Sequence, residues 1–189
     1  TVIQIFHGTN NKHFIQKYFH NYINSGKIIL TNLNKENLTI KEYNLLLTSK
    51  EFYNKIKGEN ILIFQMDTCL CSNSKYKIED FLIYDYVGAP WIDSKHKNKI
   101  GNGGLSLRKK SKMLEHINKY KYSLKINEDV YFSRSDILNF PDIKTASFFS
   151  TEHLFNPYSV GLHQPEKVLN NYNKKILRRT CPEYNKIFE

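Results

Sequence analysis

Cysteine is scarce: three residues in 189, Cys69, Cys71 and Cys181. An odd, small number is not the framework that staples small secreted domains. Cys69-Leu70-Cys71 sets two thiols on one face of an extended segment, but a structural metal site wants four ligands. Free thiols, buried or half-buried in a reducing compartment, are therefore expected. No apolar run approaches the roughly 20 residues that cross a bilayer; the best, Asn60 to Phe64, is strand-sized. The charged-then-apolar layout of a signal peptide is absent at the N-terminus, and a cytoplasmic location is expected. Acidic residues are few, 18 against 28 Lys and Arg, which gives a formal net charge of +10. Such a charge attracts anions. The lysines are scattered, however, with no basic block and no aromatic-interleaved basic stripe, so no specific nucleic-acid signature is present. The joint excess of Lys, Asn, Ile and Tyr is what an AT-rich coding sequence produces. Also missing are the Lys-Ser/Thr ending of a phosphate loop and the glycine spacing of a dinucleotide fold. With no internal repeat and no linker-like break, a single domain over residues 1–189 is expected.

What is there describes a folded chain: 40% hydrophobic and 14% aromatic residues exceed what a disordered segment carries. Val2 to Phe6 is β-rich. Asn10 or Asn11 can cap a helix through Phe14, Ile15, Tyr18, Phe19 and Tyr22, stopped by Gly26. Lys27 to Leu33 reads as a second strand, and Thr39-Ile40-Lys41-Glu42 as a capping box that opens a helix. Ser49 caps another, and Asn60 to Met66 reads as a buried central strand. This alternation predicts an α/β fold with a mostly parallel central sheet flanked by helices. Farther on, a short helix is expected over Ile78 to Ile83 and a strand ending at the turn Gly88-Ala89-Pro90-Trp91. A polar loop follows, Asp93 to Lys99, then a strand at Leu105 to Leu107 and a helix over Lys109 to Tyr120. Asn127 can cap a helix, Ala146 to Ser150 reads as a late strand, and helices fill roughly 166–189 with Pro182 in a first turn.

Four clusters could carry chemistry. Asp67, in Gln65-Met66-Asp67, ends the most apolar strand, where ligands of parallel α/β sheets bind. A carboxylate there can hold a divalent cation against a diphosphate, or simply cap a loop. Gly101-Asn102-Gly103-Gly104 lets backbone approach a ligand and offers N–H groups, or makes a tight turn. Glu128 and Asp129 open a helix, where acidic residues favour the dipole; a carboxylate at a pocket edge could also take a proton from a hydroxyl. His163, in Gly161-Leu162-His163-Gln164-Pro165, can serve a transition metal or a turn. The other histidines have no metal spacing.

In order along the chain, several stretches resemble a family of GT-A-like glycosyltransferase domains found in giant DNA viruses, fungi and some bacteria. They are Ile3-Gln4-Ile5-Phe6-His7-Gly8, Glu42-Tyr43-Asn44, Leu62-Ile63-Phe64-Gln65-Met66-Asp67, Tyr84-Asp85-Tyr86-Val87-Gly88-Ala89-Pro90-Trp91, Gly101 to Arg108, Glu128-Asp129-Val130-Tyr131-Phe132-Ser133 and Gly161-Leu162-His163. The resemblance implies a GT-A-like fold and transfer of a sugar from a nucleotide-diphosphate donor, a UDP-sugar, to a glycan or protein hydroxyl. It implies Mn²⁺ or Mg²⁺ as cofactor, a viral protein in the host-cell cytoplasm or virion, and a homo-oligomer or a fusion with other domains. Asp67 matches the second carboxylate of the Asp-x-Asp signature, and Gln65 stands where the first would be. His163 looks like the late histidine of the metal shell. Asp129 corresponds to the base of inverting enzymes, with Glu128 as the fallback. Gln65, Trp91, Asn102, Gly103 and Gly104 would line the donor and acceptor pocket. The family's further strand, which contacts the nucleotide base, would precede Gln4-Ile5-Phe6. The alternative is a catalytically impaired relic that binds sugar or nucleotide.

Overall fold

A computed structural model describes residues 1–92 and 98–188. The expected polar loop over 93–99 thus lies mostly outside the described residues. The chain is α/β and divides into two compact units, Thr1–Leu47 and Thr48–Glu189.

In the first unit, strand β1 (Ile3–His7) is followed by helix α1 (Lys12–Asn24) and strand β2 (Ile28–Asn32), which lies parallel to β1 from Ile3 beside Ile28 to His7 beside Asn32. Gly26 turns the chain between α1 and β2 with φ of 73°, a backbone state in which a side chain is strained. The capping box opens α2 (Ile40–Leu47) as its sequence requires: the Thr39 N–H donates to Glu42 at 2.9 Å, and the Glu42 N–H donates to Thr39 Oγ1 at 3.3 Å.

The second unit holds the candidate residues. Helix α3 (Lys50–Lys55) is capped by Ser49, which accepts from the Phe52 N–H at 3.2 Å. Strand β3 (Asn60–Phe64) pairs antiparallel with β6 (Leu105–Lys109), and β6 pairs antiparallel with β5 (Tyr86–Gly88). The sheet order is β3-β6-β5, so the central strand is β6, not the apolar β3 run, whose Phe64 is 55% exposed. Strand β4 (Thr68–Leu70) pairs antiparallel with β8 (Gly161–His163), which pairs parallel with β7 (Ser150–Thr151). The expected mostly parallel central sheet is thus replaced by small parallel, antiparallel and mixed ones. The alternation behind it holds through β1-α1-β2. After β5 the chain doubles back around a bridge between Pro90 and Ile100, so β6 returns against β5 and enters between it and β3.

Between these strands lie a 3₁₀ turn (Ile78–Phe81) and helices α4 (Lys110–Lys119), α5 (Glu128–Ser133) and α6 (Ile143–Phe149). Helix α6 occupies most of the expected late strand. Asp142 caps it by accepting from the Thr145 N–H, and Ala146 and Phe149 fall on one buried face. Side-chain spacing of three beats the β-propensity of a five-residue stretch. Helices α7 (Pro165–Val168), α8 (Asn171–Thr180) and α9 (Pro182–Phe188) close the chain, with Pro182 in its expected first turn.

Strand β6 alternates Leu105 and Leu107 into an apolar core with Phe81, Val87, Phe149 and Val160. Ser106 and Arg108 face the other way and are also fully buried. A second core joins β4 and β8 to the C-terminal helices through Cys69, Leu162, Leu169, Leu177, Cys181 and Tyr184. Of the three thiols expected to be free, only Cys69 is: Cys71 and Cys181 form a disulfide. Packing of α9 on β4 brings Cys181 across a separation of 110 residues, which no local spacing reveals.

Candidate functional site

The chain leaves β3 through a tight turn. The Gln65 N–H donates to the Gly104 carbonyl at 2.9 Å, extending the β3–β6 ladder by one bond. Thr68 Oγ1 and the Thr68 N–H donate to the Gln65 carbonyl at 2.6 and 3.2 Å. This turn leaves Met66 98% exposed at its apex and sets Asp67 at the head of β4. Thr68 pairs with His163, and the Gln164 N–H donates to the Asp67 carbonyl at 2.9 Å. Two residues far apart in sequence therefore sit side by side: His163 Nε2 lies 3.5 Å from Asp67 Oδ1. That nitrogen is buried and has no hydrogen-bond partner. The Asp67 side chain is about a third exposed, and Lys167 Nζ lies 3.6 Å from its other oxygen.

The far side of the imidazole is held by two groups. Glu152 Oε1 lies 3.2 Å from Nδ1, and Asn102 Nδ2 lies 2.8 Å from the same nitrogen. Asn102 takes a left-handed backbone, φ 69°, and its Oδ1 accepts from the Gly104 and Leu105 N–H groups at 2.9 and 3.2 Å. Its amide nitrogen is thereby turned toward the histidine. Burial pushes the Glu152 carboxyl up, but hydrogen bonds from His163 and Asn102 outweigh it and hold the group below its usual value. An ionised Glu152 accepts a hydrogen bond from Nδ1–H, which leaves the Nε2 lone pair facing Asp67. In the other tautomer Asn102 donates to Nδ1 and Nε2–H faces Asp67. Which one prevails follows from what sits between Nε2 and the carboxylate.

Donors held about 2.1 Å from one cation stand about 3.0 Å apart at a right angle and about 3.4 Å apart at the tetrahedral angle. The observed 3.5 Å between Nε2 and Oδ1 is close to the second value. One imidazole and one carboxylate suit Mn²⁺ better than the strictly oxygen-seeking Mg²⁺. Gln65, half-buried in the same turn, offers an amide oxygen.

The glycine segment serves the protein itself. Residues 101–104 are buried. The Gly103 N–H donates to Asp129 Oδ2 at 3.4 Å, and the Gly104 N–H is taken by Asn102. A Cβ on Gly104 would overlap His163 Nε2, and one on Gly103 would overlap Glu128 Oε1. Close approach is needed, as the sequence implied, but by these side chains. The expectation that these two N–H groups stand open to a ligand is corrected accordingly. Trp91, half-buried, lays its indole against Gly101.

Glu128 and Asp129, adjacent in sequence, have different surroundings. Glu128 is buried, and its two oxygens accept from Arg108 Nη1 and Nη2 at 2.8 and 3.0 Å. Arg108 also donates to Ser106 Oγ at 2.9 Å and to the Tyr53 and Tyr86 hydroxyls at 3.2 and 3.4 Å, and it lies over the Tyr86 and Phe132 rings. Burial pushes the Glu128 carboxyl up, and Arg108 opposes it. A carboxylate forked by a guanidinium has no oxygen placed for a hydroxyl proton, so the fallback base role does not fit. Asp129 is half-buried, and its Oδ1 accepts from the Val130 N–H at 2.7 Å. Its hydrogen bond from Gly103 ties it to the segment that carries Asn102.

Sequence reasoning missed Glu152, Lys167 and Arg108. Glu152 and Lys167 stand in no motif and reach the site only through the β7-β8 pairing and the turn of α7. The alternation Leu105-Ser106-Leu107-Arg108 did carry a signal: it puts Arg108 on the face opposite two core leucines.

Residues 27–164 match a family described as Protein of unknown function, DUF5672, and the chain belongs to that family. No curated protein matches the chain, and no solved structure does.

Proposed function

We propose that this chain is a metal-dependent glycosyltransferase of the GT-A type, which moves a sugar from a nucleotide-diphosphate donor, a UDP-sugar, to an acceptor hydroxyl. The observation that carries the reading is the buried, unpartnered His163 Nε2, 3.5 Å from Asp67 Oδ1. The resemblance assigns the same two residues to one metal shell.

Asp67 and His163 would hold Mn²⁺ or Mg²⁺, with Gln65 in reach of the same turn. A bound cation supplies charge neutralisation for a departing diphosphate. Glu152 orients the imidazole, and Asn102 locks the glycine segment beside it. Asp129 takes the proton of the acceptor hydroxyl as its oxygen attacks the anomeric carbon, with inversion. Trp91 offers an indole face for stacking on a pyranose ring. Lys167 can pair with a phosphate oxygen once Asp67 is engaged.

A second reading, a relic that binds a nucleotide or sugar without turnover, is favoured by Gln65 in place of a carboxylate and by Lys167 Nζ 3.6 Å from Asp67 Oδ2, where an ammonium satisfies the carboxylate. Calorimetric titration with UDP, with and without Mn²⁺, tests both. Metal-dependent binding that disappears in Asp67→Ala supports a working donor site, and UDP binding indifferent to Mn²⁺ and to the substitution would sink it. Once a donor is found, Asp129→Asn is expected to abolish transfer while leaving donor affinity within about threefold, a difference of about 0.7 kcal/mol. A relic shows no transfer in either protein.

A further inference from the structure

The three cysteine sulfurs of the chain converge at one place. Cys69, Cys71 and Cys181 Sγ all lie within 4.8 Å of one another. Cys71 and Cys181 are bonded, and Cys69 Sγ stands 3.7 Å from Cys181 Sγ. The free thiol is buried among Leu162, Leu169 and Leu177, with no role in the site around Asp67. A carboxylate stands beside the cluster, on its Cys181 side: Glu183 Oε2 lies 3.9 Å from Cys181 Sγ and accepts from the Ser72 N–H at 3.1 Å. The pattern is Cys-x-Cys at the end of β4 and Cys-Pro-Glu at the α8–α9 junction.

Two thiolates on one tetrahedral zinc, each at about 2.3 Å, stand about 3.8 Å apart, and a thiolate and a carboxylate oxygen about 3.6 Å apart. The separations of 3.7 Å for Cys69–Cys181 and 3.9 Å for Glu183–Cys181 are close to these values. The Cys71–Cys181 bond holds those two sulfurs closer than that spacing.

We propose that the reduced chain holds one Zn²⁺ through the thiolates of Cys69, Cys71 and Cys181, with the Glu183 carboxylate as fourth ligand. The disulfide is the metal-free state of the same cluster. Two equivalents of a small thiol open it, the Cys71–Cys181 bond becoming two thiols and the small thiol its disulfide. Zn²⁺ then displaces three protons as three Zn–S bonds form. The disulfide and the metal alternate as the tie between β4 and the α8–α9 junction, so the C-terminal helices stay fixed under either redox condition. Cys71 is half-buried and gives thiol and metal their entry.

The full chain, reduced with a phosphine and freed of metal, is titrated with Co²⁺ and then Zn²⁺ under argon. One equivalent of Co²⁺ should bring thiolate-to-cobalt charge-transfer absorption and the strong visible bands of a tetrahedral ion, which Zn²⁺ then bleaches. Cys69 is outside the disulfide, so Cys69→Ser is the decisive variant. It should lose Co²⁺ affinity by more than about 100-fold, beyond what an outer-shell change produces. Its oxidised form, with Cys71–Cys181 intact, should keep the parent circular dichroism and so report a folded chain. Glu183→Gln should weaken binding with the charge-transfer band retained. A reduced parent chain that takes up no Co²⁺, or a folded Cys69→Ser that binds it as the parent does, overturns the proposal.

Discussion

The Arg108–Glu128 pair separates a structural carboxylate from a reacting one, and Glu128→Gln tests that separation. The substitution keeps shape and one acceptor but removes the charge opposite a fully buried guanidinium. Removing one partner of a buried pair destabilises by about 3–5 kcal/mol, because the remaining charge is left uncompensated. Arg108 keeps Ser106 Oγ and two tyrosine hydroxyls, which places the loss at the lower end, about 3 kcal/mol. With a urea dependence of about 2 kcal/mol/M, the midpoint falls by about 1.5 M. Trp91 is the single tryptophan, and its indole lies against Gly101 in the unit that holds the pair. Its fluorescence reports that unit. Arg108→Met combined with Glu128→Leu should recover most of the loss, since a packed apolar pair replaces a buried ionic one with little penalty. Asp129→Asn, half-buried and outside the pair, should stay within about 1 kcal/mol of the parent. A Glu128→Gln midpoint within about 0.3 M of the parent would refute the buried-pair reasoning.

Two further outcomes follow from the same geometry. Burial lowers His116 from 6.5 to about 4, and its Nε2 is enclosed without a hydrogen-bond partner. Between pH 6.5 and about 4 the unfolded state binds the proton that folded His116 refuses, so stability present above pH 6.5 is lost as pH falls through this window. After discounting for solvent screening the contribution is about 2 kcal/mol, and urea titrations of His116→Gln across the window should show a flatter pH dependence; an unchanged slope would reject the assignment. Glu152→Gln should weaken Mn²⁺ binding about 10–100-fold through the imidazole it orients, read by calorimetry with Asp67 and His163 intact, and undiminished affinity would remove Glu152 from the site.

The local signals in the sequence were dependable where the physics is local. Thr39 and Glu42 close their capping box, Ser49 caps a helix through the N–H three residues on, and Pro182 starts α9. The pairing of Asp67 with His163 was legible only as a resemblance, because nothing local links two residues that meet through the β4–β8 ladder. The tertiary structure alone decided the rest. The apolar run at Asn60–Phe64 became a sheet edge because β6 folds back between β3 and β5, and apolarity does not encode the direction of a partner strand. Glu128 and Asp129 share a helix start in sequence, yet one faces Arg108 across the core and the other faces Gly103. Cys181 meets Cys71, and Glu152 meets His163, through packing between distant segments. Side-chain spacing within one element is set by backbone geometry, so the sequence alone determines it. Contacts between elements depend on how several faces are buried at once, and that choice is made only in the folded chain.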